Sequence, residues 1–226
     1  MRQIVLDTET TGLDPKLGHR VIELAAVEMQ NRRLTGKRFH RYLNPEREID
    51  EKAQEIHGLS LAFLEDKPKF RDIAAEFLDF VEGAELVIHN APFDLSFLDA
   101  ELGLMSLPGM TSYCTYIDTL VMAKERHPGK RNNLDALCER YAVNNAKRTL
   151  HGALLDAELL AEVYLAMTRG QESLAMELED AAPDDIGMFE RRLIVHRADA
   201  DELAAHAAQL EEIDKASKGS CVWKLT

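Results

Sequence analysis

Cysteine is scarce in this chain. Cys114, Cys138 and Cys221 are odd in number and widely scattered, which suggests neither a disulfide framework nor a cysteine-built zinc site. Long apolar runs are missing as well: none approaches the ~20 residues that a membrane-spanning helix requires. Met1-Arg2-Gln3 leads straight into an apolar strand and leaves no room for a signal peptide. These absences predict a cytoplasmic protein with no membrane partner. Positive charge is also in short supply, with 27 Lys and Arg against 40 Asp and Glu and a formal net charge of −13. Tight autonomous binding of nucleic acid rests on neutralised phosphates, so this balance argues against it. Metal-centred chemistry on such a substrate is not excluded, because bound cations offset an acidic site's field and a partner protein can hold the substrate. No internal repeat is visible. The chain has 226 residues, 46% of them hydrophobic, enough for one sizeable domain plus an appendage or for two small domains.

What is present is concentrated first in Ile4-Val5-Leu6-Asp7-Thr8-Glu9-Thr10-Thr11-Gly12. It begins as a buried strand rich in branched side chains and then places two carboxylates one residue apart. Positions i and i+2 of an extended backbone share a face, so Asp7 and Glu9 project together. Like charges side by side repel unless a cation lies between them, and hard divalent ions such as Mg²⁺ favour carboxylate oxygens. The plain alternative is a strand ending in a polar turn.

The apolar pattern predicts further strands over 21–29 and up to Tyr42-Leu43, an antiparallel start to a sheet. A short helix is expected from Asp50 to Glu55. Phe70, Ile73, Ala74, Phe77, Leu78 and Val81 recur at helical spacing. Leu86-Val87-Ile88 reads as a strand running into His89-Asn90-Ala91-Pro92-Phe93-Asp94 and a helix with Leu95, Leu98 and Leu102 on one face. Ile117-Asp118-Thr119 reads as the end of another strand. Helices are expected over 133–141 and 153–167, the second preceded by His151-Gly152. This order predicts an α/β domain with a mixed sheet. Residues 171–192 have the acidic, aperiodic composition of a linker. Beyond them come a short apolar stretch, Leu193-Ile194-Val195, an amphipathic helix over 201–213, and the chain's one tryptophan, Trp223. That tail is too short for a core of its own and is expected to order against a partner, the alternative being that it folds back on the domain.

Asp7, Glu9, Asp94, Asp156 and His151 form the candidate constellation. Singly, Asp94 suits a helix dipole, Asp156 a solvated helix face, and His151 a structural role. Together they supply what metal-assisted phosphodiester hydrolysis needs. Carboxylates hold two cations ~3.5–4 Å apart, and a histidine takes a proton near neutral pH.

The segments Asp7-Thr8-Glu9-Thr10-Thr11-Gly12, His89-Asn90-Ala91-Pro92-Phe93-Asp94 and His151-Gly152-Ala153-Leu154-Leu155-Asp156 resemble, in order and spacing, the three motifs of the DEDDh exonucleases. The resemblance implies a ribonuclease-H-like fold, a mixed β-sheet flanked by helices, and release of nucleoside monophosphates from 3′ ends. Two divalent cations are implied, Mg²⁺ by default with Mn²⁺ able to substitute. By motif position Asp7 bridges both ions, Glu9 and Asp156 complete the site that activates water, and Asp94 holds the second ion directly or through water. His151 is the implied general base. Asp7, Thr8, Glu9, Thr10, Thr11, Gly12, His57, Asn90, Phe93 and Asp156 are the implied contacts of the terminal nucleotide, although His57 and Phe93 serve equally well as packing residues.

Longer stretches (5–12, 31–36, 85–90, 128–137 and 147–167) are similar to the proofreading epsilon-subunit family of bacterial DNA polymerase III. That similarity implies frayed or single-stranded 3′ DNA ends as substrate. It divides the chain into an exonuclease domain (1–170), a flexible linker (171–192) and a tail (193–226) that docks on the polymerase's catalytic alpha subunit. Gln171-Glu172-Ser173-Leu174-Ala175-Met176 is similar to a sliding-clamp motif. It ends in Met where Phe is usual, which implies weak clamp affinity; the alternative is that these are merely the first linker residues. An additional small accessory subunit on the domain is left open. Two other readings remain: an RNA-trimming exonuclease of the same fold, and a non-catalytic scaffold between polymerase and clamp. The scaffold predicts eroded carboxylates, and none is missing.

Overall fold

The computed structural model describes residues 1–146, 148, 150–169, 198–217 and 223. The chain divides into two compact units, Met1–Ala175 and Met176–Thr226. The first contains β1 (Arg2–Thr10), β2 (Val21–Gln30), β3 (Arg33–Tyr42), α1 (Glu51–His57), α2 (Leu61–Leu64), α3 (Phe70–Val81), β4 (Glu85–Ile88), α4 (Ala91–Leu104), β5 (Thr115–Asp118), α5 (Thr119–Arg126), α6 (Leu134–Tyr141) and α7 (Ala153–Met167). The sheet order is β3-β2-β1-β4-β5. β1 runs antiparallel to β2, as β2 does to β3, and parallel to β4, as β4 does to β5. The mixed sheet expected from the sequence is therefore present, with β1 at its centre.

A central strand is buried on both faces, and β1 shows how that works. Ile4 and Leu6 enter one core layer with Leu86, Ile88, Phe70, Phe77 and Leu98, under α3 and α4. Val5 enters the opposite layer with Val27, Val87, Leu137, Leu160 and Val163, under α6 and α7. Pairing with β2 continues past Leu6 through Asp7 and Glu9 to Thr10, with a register shift between Glu9 and Thr10. The acids thus belong to the strand itself and inherit its alternation.

Two helices have no counterpart in the sequence reading. α2 is a single turn begun by Ser60, whose side chain accepts from the Phe63 amide. α5 buries only Thr119 and Ala123, too little for a readable period, and begins instead with the Asp118 carboxylate accepting from the Leu120 and Val121 amides. In the second unit, the expected tail helix is α8 (Ala200–Ala216). Asp199 and Glu202 form a capping box at its start. None of its residues is buried, and Leu203 is 58% exposed. The expected linker, the clamp-like 171–176 and the strand at 193–195 lie outside the described residues. Among the described residues no helix is long and apolar enough to cross a membrane.

The layer under α3 depends on Phe77, fully buried with its ring 5.5 Å from Phe39 and 6.4 Å from Phe70. Phe77→Ala is expected to cost about 3–5 kcal/mol of stability, measurable by urea denaturation.

Candidate active site

β1 delivers Asp7 and Glu9 on the α7 side of the sheet, while the intervening Thr8 points the other way. There Thr8 Oγ1 donates to Asp94 Oδ1 at 2.7 Å, fixing the carboxylate that the first turn of α4 supplies. Asn90 precedes that helix in a left-handed conformation (φ 70°), which asparagine tolerates better than most residues. Its amide is held by Asp118 Oδ1 at 3.1 Å. Asp156 comes from the first turn of α7 and is buried. Glu9, His151 and Asp156 each place a ligand atom within 4.8 Å of the others. His151 is held by its amide, which donates to the Ile56 carbonyl at the end of α1 (3.1 Å).

These acids repel one another in a dry place. Burial first, then Asp94, Glu9 and Asp156, push Asp7 well above the usual carboxylate range. Burial, Asp156 and Glu23 push Glu9 up to about 8. Asp94 is pushed up to about 7, chiefly by burial and against the Thr8 hydrogen bond. Asp156 goes the other way: burial raises it, but hydrogen bonds from Arg148 and then His151 outweigh that and hold it below the usual range.

Two cavities lie at the end of β1. One, of about 260 Å³, is lined by Asp7, Asp156, His151, His89 and Arg148. The other, of about 350 Å³, is lined by Thr8, Glu9, Thr10, Gly12, His57 and Phe93, with Leu13 and Ile56 among its apolar walls. His57 Nδ1 accepts from the Leu59 amide (3.0 Å), so its proton resides on Nε2. That buried Nε2–H lies near the Thr10 carbonyl without forming a proper hydrogen bond. Phe93 both lines this cavity and packs on Phe97 at 5.0 Å.

Thr11 lines neither cavity. It is fully buried, with Oγ1 3.0 Å from His19 Nδ1 and accepting from the Arg20 amide. A Cβ on Gly12 would meet the His19 ring at 2.3 Å, so that glycine makes room for a histidine. Asn90 is exposed and lines neither cavity.

Three residues escaped the sequence reading. Glu23, on β2 directly opposite Glu9, is buried and is held by His40 Nε2 at 2.8 Å. His89, inside the second motif, bonds Thr119 Oγ1 at 2.9 Å. Arg148 has a side chain only 6% exposed and grips Asp156 with Nε and Nη2, both at 2.6 Å. The sequence carried a signal for Arg148: a basic residue three positions before His151.

The RNase T family, described as exonuclease, matches residues 4–164. The DNA polymerase III subunit epsilon of Salmonella typhimurium (strain LT2) is 52% identical, the match covering 99% of this chain and 97% of that protein. That of Escherichia coli K12 is 49% identical with the same coverage. This chain belongs to the epsilon-subunit family of exonucleases. Among solved structures, exonuclease X in complex with 5′-overhanging duplex DNA is 25% identical with a TM-score of 0.57, covering 74% of this chain and 90% of that one. The nuclease domain of 3′hExo, a DEDDh family member bound to rAMP, is 18% identical with a TM-score of 0.63 and the same coverage, and shares the fold.

The raised acids make a stability prediction for the epsilon-family domain in chelator. Unfolded Glu and Asp lose their protons near 4.5 and 3.8, whereas Glu9 and Asp94 lose theirs near 8 and 7 when folded. Between those limits the folded state binds more protons, so stability falls as pH rises from about 5 to 8. Glu9→Gln removes one titrating group and is expected to flatten that slope, read from urea midpoints at the two pH values.

Proposed function

We propose that this chain is a proofreading 3′→5′ exonuclease that hydrolyses the terminal phosphodiester of mispaired DNA ends and releases deoxynucleoside monophosphates. One observation carries it: Asp7, Glu9, Asp94 and Asp156 converge at the end of β1 beside His151, next to a cavity lined by His57, whose Nε2–H has no acceptor among the described residues. Buried like charges of this number suit hard divalent cations with oxygen ligands, and divalent-metal use belongs to the family. Asp7, Glu9, Asp94 and Asp156 are the residues that would hold them, Mg²⁺ by preference with Mn²⁺ able to substitute. Such ions, when bound, supply an activated water and a counter-charge for the leaving oxygen.

The protein's own groups do the rest. The 350 Å³ cavity takes the terminal nucleotide, with Leu13, Ile56 and Phe93 against its apolar surface and His57 Nε2 donating to a substrate oxygen. Thr8 contributes mainly by holding Asp94. Thr10 and Gly12 line the same cavity, with Thr11 buried beside them and Asn90 on the exposed surface. His151, half exposed beside Glu9 and Asp156, takes the proton of the attacking water. The chemistry does not read a base. Selectivity for mispaired ends comes from the lower cost of unpairing them.

The chain's epsilon-family membership associates it with DNA polymerase III. We assign that association to 193–226, whose described helix α8 exposes Leu203 and Ile213, and whose Trp223 is 77% exposed, an anchor type common at interfaces. Residues 1–170 are then the exonuclease domain, and 171–192 a linker opening with a weak clamp-binding segment, 171–176.

Hydrolysis of a 3′-mispaired primer with Mg²⁺ is expected to exceed that of the paired primer and of its RNA equivalent; preference for RNA would move the function to RNA trimming. His151→Ala is expected to lower kcat on the mispaired primer by about 10²–10⁴-fold and to alter the pH–rate profile, with an unchanged profile counting against the base. Deleting 177–226 is expected to preserve hydrolysis while abolishing co-elution with the polymerase.

A further inference from the structure

The 350 Å³ cavity has two walls from different parts of the chain. Thr10, Gly12 and Leu13 continue from the end of β1, while Asp50, Ala53 and Ile56 belong to α1 and the residue before it. Pairing between β1 and β2 ends at Thr10 and Val21, so the sheet does not fix the gap between these walls.

Thr11 makes one tie across it. Its amide donates to the Arg20 carbonyl and its carbonyl accepts from the Asp50 amide, both at 2.9 Å. Arg20 is anchored in turn, its guanidinium gripping both oxygens of the buried Glu101 carboxylate on α4 at 2.8 and 2.7 Å. His19 makes the other tie. Its imidazole is buried behind Gly12, with Nδ1 3.0 Å from Thr11 Oγ1 and Nε2 3.5 Å from Asp50 Oδ2. A Cβ on Gly12 would meet three ring atoms within 2.6 Å, so the ring fills the space behind the strand end. A planar ring in a filled space has little freedom, and its two nitrogens face the two walls. Proton transfer has no use for this histidine, which lines neither cavity.

We propose that His19 is a positioning residue for the terminal nucleotide: its ring braces Gly12 and Thr11 against Asp50 and so sets the width of the cavity. The proposal rests on the reading of this cavity as the nucleotide subsite. Asp7 and Glu9 are placed by strand pairing with β2, and Asp94 by Thr8, independently of the ring. Losing the brace therefore loosens the nucleotide and leaves the reacting groups in place.

The test is steady-state hydrolysis of a 3′-mispaired primer by the full chain with Mg²⁺, with deoxyadenosine monophosphate as competing ligand. The proteins are the wild type, His19→Ala, His19→Asn, His19→Gln and Ala53→Trp. His19→Ala is expected to raise KM and the inhibition constant of deoxyadenosine monophosphate together by about fivefold, as loss of one hydrogen bond would, with kcat changed by less than about twofold. Glutamine places its amide where Nε2 stands and is expected to restore more of both constants than asparagine, whose shorter amide reaches only Thr11. Asparagine at least as good as glutamine overturns the brace. So does a fall in kcat with KM and the inhibition constant unchanged, which marks a purely structural role. Should the alanine variant fail to fold, the comparison of glutamine with asparagine decides. Ala53→Trp, which fills the cavity from α1, separates the two readings. If it leaves inhibition by deoxyadenosine monophosphate unchanged, the cavity is not the nucleotide subsite and the brace falls with it. If it abolishes inhibition while His19→Ala matches the wild type, the brace alone is overturned.

Discussion

Four carboxylates that repel one another are held together at the end of one strand, and the rest of the domain exists around that constraint. Nothing local favours the arrangement, since each acid raises the cost of ionising the next. It is maintained by elements with large independent stability: β1 is hydrogen-bonded on both sides, and α4 and α7 are each packed against it through an apolar layer. The functional groups lie where those layers end, so packing energy earned several residues away keeps the acids in place. Function here opposes local stability, as is usual for sites of this kind.

The partly ionised cluster also accounts for the company it keeps. Thr8 gives Asp94 a neutral donor, and Arg148 gives Asp156 a charged one. His40 performs the same service for Glu23 on the far side of β2. Each donor satisfies a buried acid without adding another negative charge. The chain's net charge of −13 extends the same excess of acid beyond the site.

Much of this was legible from sequence because periodicity and chemistry coincide. The alternation of Leu6, Asp7, Thr8 and Glu9 fixed which side chains share a face, and the spacing of Phe70, Ile73, Phe77 and Val81 fixed a helix that the structure places within one residue. Two of the three motifs stood out because their acids follow apolar strands, and the third because a histidine and glycine precede a helix bearing an acid in its first turn. What was not legible depends on tertiary neighbours. Glu23 looks like any polar position in a strand until β1 is laid beside it. Arg148 is one of many arginines until the chain turns back on α7. Gly12 is an implied nucleotide contact by motif position, and only the folded chain puts the His19 ring against it. α5 was invisible because a helix with two buried residues has no period to read.

The alternation along β1 carries one more consequence, for the tolerance of this gene to insertion and deletion. Thr8 serves one face and Asp7 and Glu9 the other, while Leu6 and Val5 divide the core in the same way. A single-residue slip in this strand would exchange every one of these assignments at once, sending the acids into the apolar layer and the leucine into the site. Length changes in β1 are therefore expected to disturb fold and site together, whereas the exposed first half of β3 has no such alternation to lose.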